Sequence, residues 1–275
     1  MIKVGVFKCG NIGTAPVLEL LLDELADRKD IEVRVVTTGS KMDTRAVEES
    51  IEKFLRLSPD MVLLVSPNTA VAGSAKAREI LSNKRVPTIV FTDAPGKRVI
   101  KEIAKQGLGY AIVTGDPLIG ARKEFLDSTE MAIFNSNVIK VLACTGIFRL
   151  ILAEIDNVIT SLKNKTAISL PKLVVDIESI RDSKDFKNPY AKAKAMAAFE
   201  MLKKVAEINV KACFVEKDKA KYILLVACAH EIAQMSASLA EQAREIEKCG
   251  DTVLRTPHAK DGRLKTKDKL MFSPE

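Results

Sequence analysis

Short apolar runs alternate with amphipathic stretches through the first 120 residues. The runs at 2–7, 31–36, 61–65, 88–91 and 110–113 have the length and composition of buried strands. Between the second and third, Asp43 is placed to cap a helix whose Val47, Ile51, Phe54 and Leu55 share one face. Strands separated by helices need crossover connections, which implies a mostly parallel sheet covered on both sides. Residues 1–120 are therefore predicted to form a doubly wound α/β domain.

Beyond residue 120 the period lengthens. Asp127 is placed to cap one long helix carrying Met131, Phe134, Val138, Val141 and Leu142, then Phe148, Leu152, Ile155 and Ile159. Asn188-Pro189 opens another, because proline suits the first helical turn. Asp218 opens a third that runs to Cys249 and stops at Gly250. Long helices need partners for their apolar faces, so residues 121–250 are predicted as a helical bundle. The remainder, 251–275, contains the turn dipeptide Asp261-Gly262 and is predicted as a short C-terminal β-hairpin.

Composition narrows the function classes. Of 275 residues, 47% are hydrophobic, as expected of a chain with a substantial core, and the net charge is +7. That charge favours anionic partners, but the basic residues are interspersed with acidic ones in no long block. With no Trp and three Tyr there are few platforms for stacking bases, so a phosphorylated small molecule fits better than nucleic acid. The five cysteines are scattered without a C-x-x-C pair, and His230 and His258 lie far apart, so neither a disulfide framework nor a metal site is indicated. The chain opens directly on a strand pattern and its apolar runs, such as 222–229, are short for a bilayer. A cytoplasmic protein is expected.

Ligands of open parallel sheets bind beyond the carboxyl ends of the strands. The segments there are Lys8-Cys9-Gly10-Asn11-Ile12-Gly13-Thr14, Thr37-Thr38-Gly39-Ser40, Ser66-Pro67-Asn68, Thr92-Asp93-Ala94-Pro95-Gly96 and Thr114-Gly115-Asp116-Pro117. Any one of them could be only a turn. Five along one edge point to a ligand crevice. In the first, Lys8 stands where a dinucleotide fingerprint has its first glycine, while Gly10 and Gly13 let the backbone approach a phosphate at a helix start. The second strand ends in Thr37-Thr38, without the acidic residue that holds the ribose of NAD. A single phosphate beside a lysine suits this loop better than a pyrophosphate. Cys9 has no histidine near it in sequence to activate it as a nucleophile. His230 falls on an apolar helix face and reads as a core residue, whereas His258, in a polar stretch, reads as exposed and available to a ligand. Glu48 and Glu49 read as a solvated helix face.

Several of these segments resemble one family. Lys3-Val4-Gly5-Val6-Phe7-Lys8-Cys9-Gly10-Asn11-Ile12-Gly13-Thr14 is similar to the opening of the deazaflavin-dependent methylenetetrahydromethanopterin dehydrogenases. So are Asp93-Ala94-Pro95-Gly96, the stretch from Asp116 through Arg122 to Asp127, and Phe134-Asn135-Ser136-Asn137-Val138-Ile139-Lys140-Val141-Leu142-Ala143, with the surroundings of Pro257-His258. The matches follow family order over nearly the whole chain. The family pattern departs at three positions, with proline for Thr69, alanine for Gly115 and aspartate for Asn137.

The resemblance implies reversible oxidation of a methylene group on tetrahydromethanopterin to a methenyl group, with hydride passed to coenzyme F420, in archaeal one-carbon metabolism and methanogenesis. It also implies a homo-oligomer without metal. Both reactants supply their own electronic activation, so the protein is expected to position them, and no catalytic acid, base or nucleophile is assigned. Cofactor binding is expected at Lys8, Gly10, Asn11, Ile12, Gly13, Thr14, Ser66, Pro67, Asn68, Asp93 and Ala94. Pterin binding is expected at Arg122, Asn135, Asn137 and His258. Two other readings stay open at this point: an NAD(P)-linked dehydrogenase on the same fold, and a non-catalytic nucleotide-sensing module.

Overall fold

The computed structural model describes residues 1–12, 15, 18, 27–115 and 127–275. The elements are β1 (Ile2–Lys8), β2 (Ile31–Thr37), α1 (Thr44–Leu55), β3 (Met61–Ser66), α2 (Ala72–Asn83), β4 (Thr88–Asp93), a 3-10 segment (Ala94–Val99) and α3 (Ile100–Lys105). They continue with β5 (Gly109–Val113), α4 (Ser128–Cys144), α5 (Ile147–Asn164), β6 (Lys172–Val175), α6 (Ile177–Arg181), α7 (Pro189–Val210), a π turn (Lys211–Val215) and α8 (Lys219–Cys249).

The strands form one sheet in the order β2-β1-β3-β4-β5-β6. All five expected strands are present and pair in parallel. A sixth, β6, was not expected. It extends the same direction, because Tyr110 N–H donates to Pro171 O at 2.8 Å and Thr114 N–H to Val175 O at 3.4 Å. Residues of β3, β4 and β5 are buried throughout, as strands covered on both faces must be. Asp43 caps α1 by accepting the Ala46 N–H at 2.9 Å, and Val47, Ile51 and Phe54 turn inward. They join Phe7, Leu64, Leu81 and Ile103 in one apolar cluster.

Contacts gather the described chain into two compact units. The first is Met1–Val113, Leu150–Val174 and His258–Leu264, and the second is Thr114–Arg149, Val175–Pro257 and Lys265–Glu275. The units interleave along the chain, whereas the hydrophobic pattern laid its parts end to end.

In the second unit α8 packs against α7 and α4. Alanine makes close approach possible, since Ala191, Ala195 and Ala198 on α7 and Ala229, Ala233, Ala237, Ala240 and Ala243 on α8 are all buried. The Ser236 hydroxyl adds a bond across this seam, donating to Ala198 O at 2.7 Å. By length and composition α8 could also cross a membrane, with a mean hydropathy of 1.5 over its most apolar window. Its buried alanine stripe packs it against α7 and α4 in this unit, while Leu224 and Met235 on it are exposed.

The expected long helix after Asp127 is corrected to two, α4 and α5. Asp127 does cap α4, but Gly146, at a φ of 85°, ends its run, and Asp185 lies where a side chain at 146 would point. Helix α8 ends where expected, yet the left-handed residue there is Asp251 (φ 49°) and not Gly250. In the tail, the antiparallel contacts are isolated bridges, Arg255 with Lys267 and His258 with Leu264, in place of continuous hairpin strands.

Candidate functional site

From β1 the sheet grows outward in both directions, so its topological switch point lies between β1 and β3. These neighbours run in register, with Lys8 opposite Val65, so the segments after Lys8 and after Ser66 leave the sheet side by side. The candidate site is this carboxyl edge of the first unit.

Main-chain bonds fix the first segment. Cys9 N–H donates to Val65 O at 2.8 Å, and Thr38 N–H donates to Lys8 O at 3.0 Å. The Thr38 hydroxyl donates to Lys41 O at 2.6 Å and accepts Gly10 N–H at 3.4 Å. Gly10 adopts a φ of 85°, and a Cβ there would stand 2.7 Å from Met42 Sδ. The positive φ requires glycine, and a Cβ would also push Met42 aside. Side chains tie the floor together below. The Ser74 hydroxyl donates to Cys9 Sγ at 3.3 Å and lies 2.6 Å from the Ser66 hydroxyl. Thr69 N–H donates to the Thr92 hydroxyl at 3.3 Å. Asn68 Oδ1 accepts Ala70 N–H at 3.1 Å, and Asp93 Oδ1 accepts Ala94 N–H at 2.5 Å. Burial pushes the Cys9 thiol above its ordinary pKa, against the hydrogen bonds from Ser74 and Thr38, so it stays protonated and acts as a structural group.

The residues expected to bind a cofactor divide accordingly. Lys8, Asn68 and Ala94 are half-buried and Asn11 is exposed along the edge. Ile12, Ser66, Pro67 and Asp93 are buried, with Asp93 only 1% exposed, and build the floor. Gly13 and Thr14 lie outside the described residues. Sequence reasoning missed Ser74 and Met42, and it put Thr38 on the crevice edge without its role in fixing the first segment, since these roles depend on contacts across loops. It also passed over Lys41, Lys97 and Arg98, exposed cations on segments that follow β2 and β4.

Of the residues expected for the pterin, Asn135 and Asn137 are half-buried on α4, in the second unit. Asn135 Oδ1 is buried without a hydrogen-bond partner among the described residues. Arg122 lies outside the described residues. The expected exposure of His258 is corrected, because its side chain is 1% exposed and its Nε2 lies 2.7 Å from Asp156 Oδ2 on α5. Asp156 also meets Arg28, which forms a two-pronged bond to Asp30, and Lys163 on α5 donates to the same Asp30 carboxylate at 2.9 Å. Arg28 foremost, with Lys163 assisting against the effect of burial, holds the Asp30 carboxyl well below the usual carboxylate range. Asp30 directly precedes β2 and its carbonyl accepts Ile2 N–H, so this network lies at the amino edge, opposite the crevice. His230 is a core residue as expected, tilted against the Phe134 ring at 4.6 Å, and burial holds its imidazole below the ordinary pKa.

The chain has close counterparts along its full length. A solved structure described as F420 dependent methylene-tetrahydromethanopterin dehydrogenase in complex with methylene-tetrahydromethanopterin and coenzyme F420 superimposes with a TM-score of 0.97. It is 46% identical, and the match covers 100% of both chains. Curated relatives named F420-dependent methylenetetrahydromethanopterin dehydrogenase are similar over 100% of both chains. The one from Archaeoglobus fulgidus is 54% identical, that from Methanothermobacter thermautotrophicus 52%, and that from Methanocaldococcus jannaschii 49%. The family model for methylene-5,6,7,8-tetrahydromethanopterin dehydrogenase matches residues 2–275, and the chain belongs to that family.

Proposed function

We infer that this chain is an oxidoreductase that transfers a hydride between methylene-tetrahydromethanopterin and coenzyme F420, giving methenyl-tetrahydromethanopterin in the oxidising direction. The observation that carries this is the full-length likeness to a structure holding both of these molecules. When bound, the deazaflavin supplies the hydride acceptor. The protein's own task is to hold two partners in line and keep water out, which accounts for a site built from loops and not from an acid–base pair.

The crevice suits a cofactor with a phosphodiester and carboxylates. Gly10 brings no side chain of its own to the turn of its loop, and half-buried Lys8 is joined by exposed Lys41, Lys97 and Arg98 on segments leaving the carboxyl ends of β2 and β4. On this reading Lys8, Gly10, Asn11, Asn68 and Ala94 meet the cofactor, and Gly13 and Thr14 are assigned to it as well. Ile12, Ser66, Pro67 and Asp93 support them from below. Asn135, Asn137 and Arg122 are assigned to the pterin. The orphaned Asn135 oxygen supports this, since a buried acceptor needs a donor and a ligand can provide one. His258 is assigned to holding the tail turn. A cytoplasmic homo-oligomer serving archaeal one-carbon metabolism and methanogenesis completes the reading.

Mixing the protein with reduced methylene pterin and either coenzyme F420 or NAD, and following cofactor absorbance, tests the function. Turnover with the deazaflavin alone is expected. Turnover with NAD, or binding without turnover, would overturn it.

A further inference from the structure

Ser74 lies in the first turn of α2, yet its side chain serves the strand ends. Its hydroxyl donates to Cys9 Sγ at 3.3 Å, and the Ser66 hydroxyl is 2.6 Å away. One hydroxyl carries one proton. With the Ser74 proton on sulfur, Ser66 must be the donor in the shorter bond. The result is a directed chain from Ser66 through Ser74 to Cys9. All three residues are fully buried, so water does not compete for these bonds. Ser66 is the last residue of β3, and Cys9 is the first after β1. These are the two strand ends that flank the switch point. Main-chain pairing stops at Cys9 N–H to Val65 O. Beyond it, the serine–serine–cysteine chain continues the connection between the diverging segments.

We propose that Ser74 is a positioning residue for the deazaflavin: through Ser66 and Cys9 it sets the spacing of the β1 and β3 loops. This rests on the reading above that the carboxyl edge receives the cofactor. Ser74 touches no ligand itself. It acts through Gly10 and Asn11 on one side and Pro67 and Asn68 on the other, each adjoining a bonded residue.

A lone Ser74→Ala cannot separate positioning from stability, since it leaves the Ser66 hydroxyl buried without its partner. Removing both hydroxyls in Ser66→Ala/Ser74→Ala avoids that penalty, and such paired replacements are close to neutral for stability. The double variant is expected to melt near wild type. Its KM for coenzyme F420 should rise about three- to tenfold, the size of one lost neutral hydrogen bond. Its kcat at saturating cofactor and its KM for the pterin should stay near wild type. A wild-type KM for the cofactor in the double variant would make Ser74 a packing residue and overturn the proposal. Cys9→Ala leaves the two serines bonded and should raise the same KM by a smaller factor. No rise there would overturn the link to β1, even if the double variant folded poorly. Lys8→Met keeps the two ideas apart. If Lys8→Met weakens the cofactor and the double variant does not, the crevice reading stands and Ser74 fails. If neither does, both fall.

Discussion

His258 Nε2 lies 2.7 Å from Asp156 Oδ2, with the histidine side chain almost wholly enclosed. A tail residue is thereby fixed to α5, and the same carboxylate reaches Arg28 at 3.5 Å. His258→Ala removes a bond to a charged group, a loss of about 1.5–3 kcal/mol, or roughly 3–10 °C in melting temperature. KM for the pterin should change little. A variant with an unaltered melting temperature and a weakened pterin KM would return His258 to the ligand.

His230 should give the folded protein a pH limb. Burial against Phe134 favours the neutral ring, outweighing the attraction of Glu130 and Glu231, so the folded pKa lies below 6.5. The unfolded chain therefore takes up a proton first as pH falls. The stabilisation is fully present above 6.5 and is lost as pH drops toward the folded value. His230→Phe keeps an aromatic partner and cannot titrate. Melting temperatures measured on both sides of that pH should show a shallower fall in the variant; parallel curves would assign the limb to other groups.

Gly115 faces Phe199, and a Cβ at 115 would stand 2.3 Å from the ring. Phe199 is fully buried, so its ring cannot swing out into solvent. Gly115→Ala, although alanine fits the family pattern, should destabilise by about 1–3 kcal/mol through overpacking. Adding Phe199→Leu should recover part of that loss. Thermal melts of the two single variants and the double variant give the coupling, and strict additivity would mean that the ring and residue 115 do not meet.

Lys8 is half-buried at the end of β1. Lys8→Met should weaken coenzyme F420 by about ten- to a hundredfold, as expected for a lost charge-assisted bond, and weaken the pterin much less. Titrations at two salt concentrations provide the check. Equal affinities would leave Lys8 as a turn residue, and a loss confined to the pterin would exchange the two ligand assignments.

Much of this architecture can be read from the chain because local and tertiary preferences agree. The strands β1 to β5 are apolar runs ended by small polar residues, and Asp43, Asp127, Asn188 and Asp218 all cap the helices they precede. Strand β6 escapes detection because Leu173-Val174-Val175 is too short to signal by itself; its pairing with β5 decides it. The break between α4 and α5 was signalled only by Gly146, while the apolar period continued in phase across it. His258 was misjudged for a different reason, since its partner Asp156 lies 102 residues away in sequence. The crevice loops were identifiable as a group, but whether each residue meets a ligand or supports the floor depends on burial. Ser74 carried no signal, because a serine in the first turn of a helix is ordinary until its neighbours are known.

The interleaving of the two units has a consequence for synthesis. The chain passes between them after Val113, Arg149, Val174, Pro257 and Leu264. A ribosome releasing the chain from its amino end thus frees five sheet strands early, but β6, most of α5 and the turn carrying His258 come much later. The nascent sheet gains β6 only once residue 175 is out, and the first unit is complete only with His258–Leu264, close to the end of the chain. The first unit therefore cannot close on its own amino-terminal segment, and its assembly waits on a turn made more than 140 residues after β5.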